Sequence, residues 1–185
     1  MRRNQSEQTL VSLGGVMEKA TELFESALKW LRDNYAGLQL FLERDVVWTV
    51  QTRVIEQIRE LGLPYKIFND YPMLPGKRRS LSTDLAILGL DDCVEVAAEF
   101  KYEPSHGRSD ILASKFPVVF WGKDGVAKDL KRIQEYVAQG KAKVAYSVFI
   151  DEGGYFRGRQ PHPGSEWVDW GNGVWILYAQ TQATS

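Results

Sequence analysis

The sequence predicts one domain of the α/β (α+β) class, a mixed central sheet flanked by helices, and three observations predict it. Short apolar runs rich in Val, Ile, Leu and aromatic residues at 82–89, 94–102, 143–150 and 174–179 have the length and composition of strands. Amphipathic stretches at 16–35, 43–61 and 124–138 repeat their apolar residues at helical spacing. The last of these helices joins the second and third strands, so it makes a crossover, which implies a parallel pair inside the sheet. A chain of 185 residues that is 44% hydrophobic and 12% aromatic can bury one sizeable core, so residues 1–185 are read as one domain.

Residues 1–14 are polar and lead to Gly14-Gly15, which predicts poor order. In 16–35, Leu23, Ala27, Trp30, Leu31 and Tyr35 form an apolar stripe, a helix added ahead of the core for packing or dimerisation. In 43–61, Glu43, Val47, Val50, Val54, Ile58 and Leu61 share one stripe, and Gly62-Leu63-Pro64 stops the helix. Glu43 is therefore the acidic end of the inward stripe, whereas Glu56 projects to the opposite side and Glu60 to the flank. Tyr65-Lys66-Ile67-Phe68 reads as a strand leading to a loop with Pro72 and Pro75. The runs 82–89 and 94–102, separated by Gly89-Leu90-Asp91-Asp92, form a hairpin. Residues 103–122 are loop-rich and end in Phe116-Pro117-Val118-Val119-Phe120-Trp121, a candidate flexible lid. In the helix 124–138, Val126, Leu130, Ile133 and Val137 face inward, Gly140 ends it, and Asp129, Lys131, Arg132 and Gln134 are expected on a solvated face, with a supporting or phosphate-contact role at the site as the alternative. Gly153-Gly154 and the stretch from Pro161 to Gly173 read as turns, and the run 174–179 closes the sheet.

Successive strand side chains point to opposite faces, so Ala97, Glu99, Lys101 and Glu103 share one side of their strand and Val96, Ala98, Phe100 and Tyr102 the other. The apolar side is expected to be buried and the charged side to face a cleft. Asp84 lies in line with Ala86 and Leu88, an acid on an otherwise apolar face, and an isolated buried carboxylate is costly unless it has a partner. The hairpin sets Asp84 beside Glu99 and Lys101. Two carboxylates and an ammonium on adjacent strands suit metal-dependent hydrolysis, because a hard cation such as magnesium prefers oxygen ligands and takes only one or two protein carboxylates. The cation would act on a phosphodiester and on water, while Lys101 orients that water or stabilises charge on the phosphate. Glu43 would hold a metal-bound water or a second ion.

A Glu-x-Lys tripeptide arises about once by chance in a chain of this length, so strand context carries the argument. Asp129-Leu130-Lys131 has the same spacing but lies in a helix, where residues two apart do not face each other. The bland alternative makes Glu99 and Lys101 solvated edge-strand residues, Asp84 a turn residue, and Glu43 an acid favoured by the helix macrodipole.

A helix with Glu43, a strand with Asp84, a strand with Glu99-Phe100-Lys101 and a following helix resemble, over residues 40–150, the PD-(D/E)XK nuclease superfamily of restriction endonucleases and Holliday-junction resolvases. Thr83 stands before Asp84 where the usual pattern has Pro. Glu43-Arg44 is similar to the Glu-Arg pair of resolvase-like members, and Asp-Leu-Lys-Arg-Ile to the helix after the motif. The resemblance implies a restriction endonuclease-like three-layer fold and a magnesium cofactor, with manganese as substitute. It implies that Asp84, Glu99 and the Phe100 backbone carbonyl are ligands, with Glu43 acting through water, and that DNA or RNA phosphodiester bonds are hydrolysed. The alternative is a non-catalytic module of this fold that binds nucleic acid or a protein partner in DNA rearrangement or defence. A third reading is an enzyme for small nucleotides or other phosphoesters.

A formal net charge of −1 argues against broad nucleic-acid affinity, so local clusters matter more. Lys77, Arg78, Arg79, Arg108, Lys131 and Arg132 are the candidate nucleic-acid contacts, joined by His106 and Lys115 at the rim; the Lys77–Arg79 run is equally a solvated turn. A homodimer or a partner protein is compatible with this weak basicity. No apolar run approaches the length of about eighteen residues that spans a bilayer, and the start resembles no signal peptide, so a cytoplasmic protein off the membrane is expected. Cys93 is alone, and His106 and His162 have no partners at zinc-ligand spacing. Phosphate-loop and Gly-x-Ser-x-Gly signatures are missing. Trp167, Trp170 and Trp175 would stack bases or, in the reading burial favours, pack the core.

Overall fold

Six strands form one mixed sheet, and its two faces are buried by different helices. The structure, a computed structural model, describes residues 4–74, 81–111 and 115–183, with side chains from Glu18 onward. The strands are β1 (Lys66–Leu74), β2 (Leu81–Leu88), β3 (Val94–Glu103), β4 (Val144–Asp151), β5 (Ser165–Gly171) and β6 (Val174–Gln182). Their order is β1-β2-β3-β4-β6-β5. Three helices flank the sheet: α1 (Asn4–Asn34), α2 (Glu43–Leu61) and α3 (Val126–Ala138). The architecture is thus α+β.

Strand alternation sorts the core into two clusters. Leu85, Ile87, Val96, Ala98, Phe100 and Tyr102 pack with α1 and α2, which contribute Leu23, Phe24, Leu31, Val46, Val50 and Val54. Ala86, Leu88, Ala97, Ala145 and Phe149 face the other way, onto Leu130, Ile133 and Tyr136 of α3. Residues one apart on β3 therefore belong to different layers, as the pleat demands. Phe24 is fully buried, with its ring 4.5 Å from that of Tyr146 and 6.2 Å from that of Phe100. The added first helix is therefore part of the core.

The crossover from β3 through α3 to β4 makes the expected parallel pair, in register from Val96↔Val144 to Glu103↔Asp151. All other neighbours are antiparallel. The 43–61 helix has the bounds its stripe predicts. Gly62 ends it at φ 61, a left-handed conformation that glycine adopts without a Cβ penalty. At its start the Asp45 carboxylate accepts the Phe41 and Leu42 amides at 2.9 and 2.8 Å, which satisfies donors that a helix N-terminus leaves open. This anchoring sets Glu43 in the first turn.

Four expectations need correction. The helix read as 16–35 begins at Asn4 and takes in the polar segment expected to be poorly ordered. The stretch from Pro161 to Gly173 is not all turn: residues 165–171 form the edge strand β5 on β6. Its turns are confined to Pro163-Gly164, with Gly164 at φ 81°, and to Gly171-Asn172-Gly173, with φ of 86°, 54° and 84°. β6 consequently lies inside the sheet, between β4 and β5, and does not close it. β1 continues through Pro72, tolerated because β1 is an edge strand. Cys93 is exposed beside the hairpin turn. Among the described residues no helix is long and apolar enough to cross a membrane.

Truncating Phe24 to Ala removes the ring that seats α1 on the sheet, and urea denaturation is expected to show a loss of about 3–5 kcal/mol. A change below about 1 kcal/mol would show that α1 is dispensable to the core.

Candidate active site where the hairpin strands part

The main-chain ladder between β2 and β3 ends at Leu85↔Ala98. Beyond that point side chains take over the bonding. The Thr83 hydroxyl donates to the Ala98 carbonyl at 2.8 Å, and the Phe100 amide donates to Asp84 Oδ2 at 2.7 Å. Extending the register one step sets Asp84 opposite Glu99. Both point to the α3 side, as do Ala86 and Ala97 next to them.

Glu99 is 1% exposed. The Tyr136 hydroxyl donates to its Oε1 at 2.5 Å, and an Arg132 guanidinium nitrogen lies 3.4 Å from its Oε2. Lys101 Nζ donates to the Phe100 carbonyl at 2.7 Å and to Glu43 Oε2 at 3.0 Å, and stands 3.1 Å from Asp129 Oδ2. The ammonium is thus held by one acid from α2 and another from α3. Asp129 is itself 1% exposed. Arg132 and Lys128 lie 3.8 and 4.0 Å from its Oδ1, yet neither carboxylate oxygen accepts a hydrogen bond.

Four carboxylates, Glu43, Asp84, Glu99 and Asp129, share a small volume with Lys101 and Arg132. Burial pushes Glu99 up to about 8, and the charges of Asp84 and Asp129 add to the rise against the Tyr136 hydrogen bond and Arg132. Burial likewise lifts Asp84 to about 6, opposed by the Phe100 amide and Lys101. Burial works against the Lys101 ammonium, but Asp129, Glu43 and Asp84 outweigh it and hold its pKa above the ordinary lysine value. Lys101 is a permanent cation here.

Asp84, Glu99, Lys101, Glu43 and the Phe100 carbonyl are therefore brought together. The rest of the expected site is arranged differently. The charged face of β3 does not line an open cleft: α3 lies over Glu99, while Glu103 is buried with its carboxylate against His106 and the Val119 amide. Asp129 and Arg132, expected on a solvated face, turn inward onto that strand. Lys131 does face solvent, with its side chain 76% exposed beside Glu135. Arg108 is committed elsewhere: it donates to the Leu40 carbonyl at 2.6 Å and pairs with Asp110 at 2.5 Å and Glu152 at 3.5 Å. Lys77, Arg78 and Arg79 lie outside the described residues.

The segment read as a flexible lid is fastened in the second half of its apolar run. The Val119 amide donates to Glu103 Oε2 at 3.3 Å and the Val126 amide to the Phe120 carbonyl at 2.8 Å. A Cβ on Gly125 would lie 1.8 Å from that carbonyl oxygen, so only glycine admits this approach.

Sequence reasoning missed Tyr136 as a site residue and favoured a solvated face over a supporting role for Asp129. A signal existed: Asp129 stands three residues after Val126 and four before Ile133, and Tyr136 three after Ile133, all on the buried side of α3.

The donors suit a cation that takes two carboxylates and a carbonyl and fills its other positions with water. They do not suit an all-protein cage. Among the described residues no group of three or more His, Cys, Asp or Glu side chains is arranged to hold a metal ion. The burial and neighbouring acids that raise both carboxyl pKa values disfavour their ionised forms, a cost a divalent charge would offset.

A carboxyl whose pKa is raised on folding takes up a proton when the chain folds. The stability it contributes is complete below the unfolded value, 4.5 for Glu99, and is lost as pH rises through about 8. Unfolding free energy without metal is expected to fall across that window, and Glu99→Gln is expected to flatten the fall. An unchanged slope in urea titrations from pH 5 to 8 would contradict the burial of Glu99.

No family model, curated protein or solved structure matches this chain.

Proposed function

We propose that this chain is a divalent-metal-dependent phosphodiesterase of the PD-(D/E)XK type that hydrolyses nucleic-acid phosphodiester bonds, with magnesium as its cation and manganese as substitute. One observation carries the reading: Asp84, Glu99, the Phe100 carbonyl and the Lys101 ammonium converge where β2 and β3 part. In this reading Asp84, Glu99 and the Phe100 carbonyl are the oxygen ligands and Glu43 acts through water. The cation supplies Lewis acidity to the phosphodiester and makes water a better nucleophile.

The chain's own groups do the rest. The Phe100 amide fixes the Asp84 carboxylate, and the Tyr136 hydroxyl with Arg132 fixes that of Glu99. Asp129, Glu43 and Asp84 favour the protonated form of Lys101, so in this reading it serves as a positive charge for the phosphate and a donor that orients water. Glu43 anchors the Lys101 ammonium from the first turn of α2. Lys131, exposed though paired with Glu135, would meet a phosphate, and the Lys77–Arg79 run lies shortly before β2 in the sequence; the weak overall charge of −1 fits a short contact or help from a second copy or partner protein.

The competing reading is a nuclease-fold module without catalysis. The observation favouring it is that Arg132 and Tyr136 already engage Glu99.

Incubation with Mg2+ or Mn2+ and single-stranded, duplex and branched DNA and RNA separates the two. Cleavage of at least one substrate is expected, with loss of activity in Asp84→Asn and Glu99→Gln and a rate lowered about 10²–10³-fold in Lys101→Ala. Binding without cutting on every substrate favours the module. Full cleavage by Lys101→Ala removes the role assigned to Lys101.

A further inference from the structure

We infer that Asp129 is a positioning residue that receives the Lys101 ammonium when a divalent cation occupies the Asp84–Glu99 site; the inference rests on the reading just given. Its starting point is a conflict over one oxygen. The Phe100 carbonyl, a ligand in that reading, already accepts a hydrogen bond from Lys101 Nζ at 2.7 Å. A primary ammonium and a divalent cation repel each other too strongly to share one carbonyl at contact distance. Lys101 must therefore give that oxygen up, and its charge needs another acceptor within reach.

Two acids stand beside it. Glu43 Oε2 already accepts a hydrogen bond from Nζ at 3.0 Å. Asp129 Oδ2 lies 3.1 Å from the same nitrogen and accepts none. A buried carboxylate nearly always has its oxygens hydrogen-bonded, and Asp129 departs from this with both oxygens while only 1% exposed. Lys101, Arg132 and Lys128 balance its charge at 3.1, 3.8 and 4.0 Å without filling its lone pairs. An acceptor with vacant lone pairs beside a donor that must turn away from its present partner is a receiving position. Reorienting the ammonium suffices, since the nitrogen is already at hydrogen-bond distance.

Two other roles for Asp129 explain less. A third metal ligand is disfavoured because no three acids among the described residues converge on one point, and because its Oδ2 faces Lys101. A plain buttress for α3 would not leave both oxygens unbonded.

The test is calorimetric titration of Mn2+ into the full chain in four forms: unaltered, Asp129→Asn, Lys101→Met and the double variant. Asp129→Asn is expected to weaken Mn2+ binding about 10–100-fold, as loss of a group supporting a metal site does. In the Lys101→Met background the same change is expected to cost nothing, because no ammonium remains to be displaced. An equal loss in both backgrounds makes Asp129 a direct ligand and overturns the inference, and no loss in either background overturns it too. Asp129→Glu is expected to restore part of the affinity; failure to do so argues against a receiving carboxylate.

A second measurement needs no change at position 129. The Lys101 ammonium resonance, assigned by its disappearance in Lys101→Met, is expected to shift when Mg2+ is added to the isotopically labelled chain. A resonance that stays put while Mg2+ binds overturns the inference. Absence of any Mn2+ or Mg2+ binding overturns the two-carboxylate reading and this inference together, whereas binding without coupling between positions 101 and 129 overturns the inference alone.

Discussion

The hydrogen bond from the Phe100 amide to the Asp84 carboxylate marks the place where β2 and β3 stop exchanging main-chain bonds. Had the ladder continued, that amide would have met a backbone carbonyl and Asp84 would have stood as an unpartnered acid on an apolar face. The side chain takes the amide's bond, which answers a buried donor and a buried acceptor at once. The same parting leaves the Phe100 carbonyl to Lys101 and sets Asp84 opposite Glu99. The arrangement of these side chains is thus a by-product of how one strand pair ends.

Around that point the molecule concentrates charge that its core would otherwise exclude. Lys101 binds Glu43 from the layer of α1 and α2 and Asp129 from the layer of α3, so one ammonium ties the two sides of the sheet. Such networks are weak evidence for stability, because desolvation offsets most of the Coulomb gain, but removing one partner costs about 3–5 kcal/mol. The raised pKa values of Asp84 and Glu99 show the desolvation in chemical form: burial lifts both carboxyl groups, and the neighbouring acids add to it. Perturbed carboxyl groups gathered with a cation are a recurrent mark of functional sites, and here the mark coincides with an end of strand pairing.

Much of this was legible along the chain. The bounds of α2, the hairpin of β2 and β3 and the crossover to β4 follow from local signals, apolar period and stop residues, that need no knowledge of the partner surface. Alternation along β3 correctly put Glu99 and Lys101 on one face and Phe100 on the other. It carried no information about what would cover that face, and α3 turned an expected cleft into a largely buried one. β5 escaped notice because Pro161, Pro163, Gly164 and the Gly171-Asn172-Gly173 turn surround a short, half-exposed strand of 7 residues, and the adjacent Trp167 and Val168 break its alternation.

By itself, then, the sequence determined which residues of one element could act together: period 2 and period 3.6 are properties of the backbone, so Glu99 and Lys101 were bound to share a side wherever that strand formed, and the hairpin register then set Asp84 beside them. Tertiary structure alone decided who their neighbours are. Whether Asp129 meets water or Lys101, whether Tyr136 fills space or donates to Glu99, and whether Arg108 is free or locked to Asp110 and Glu152 depends on the packing of elements distant in sequence. The physical reason is that side-chain direction is a local consequence of φ and ψ, whereas burial and charge pairing are fixed by which surface arrives from elsewhere in the chain.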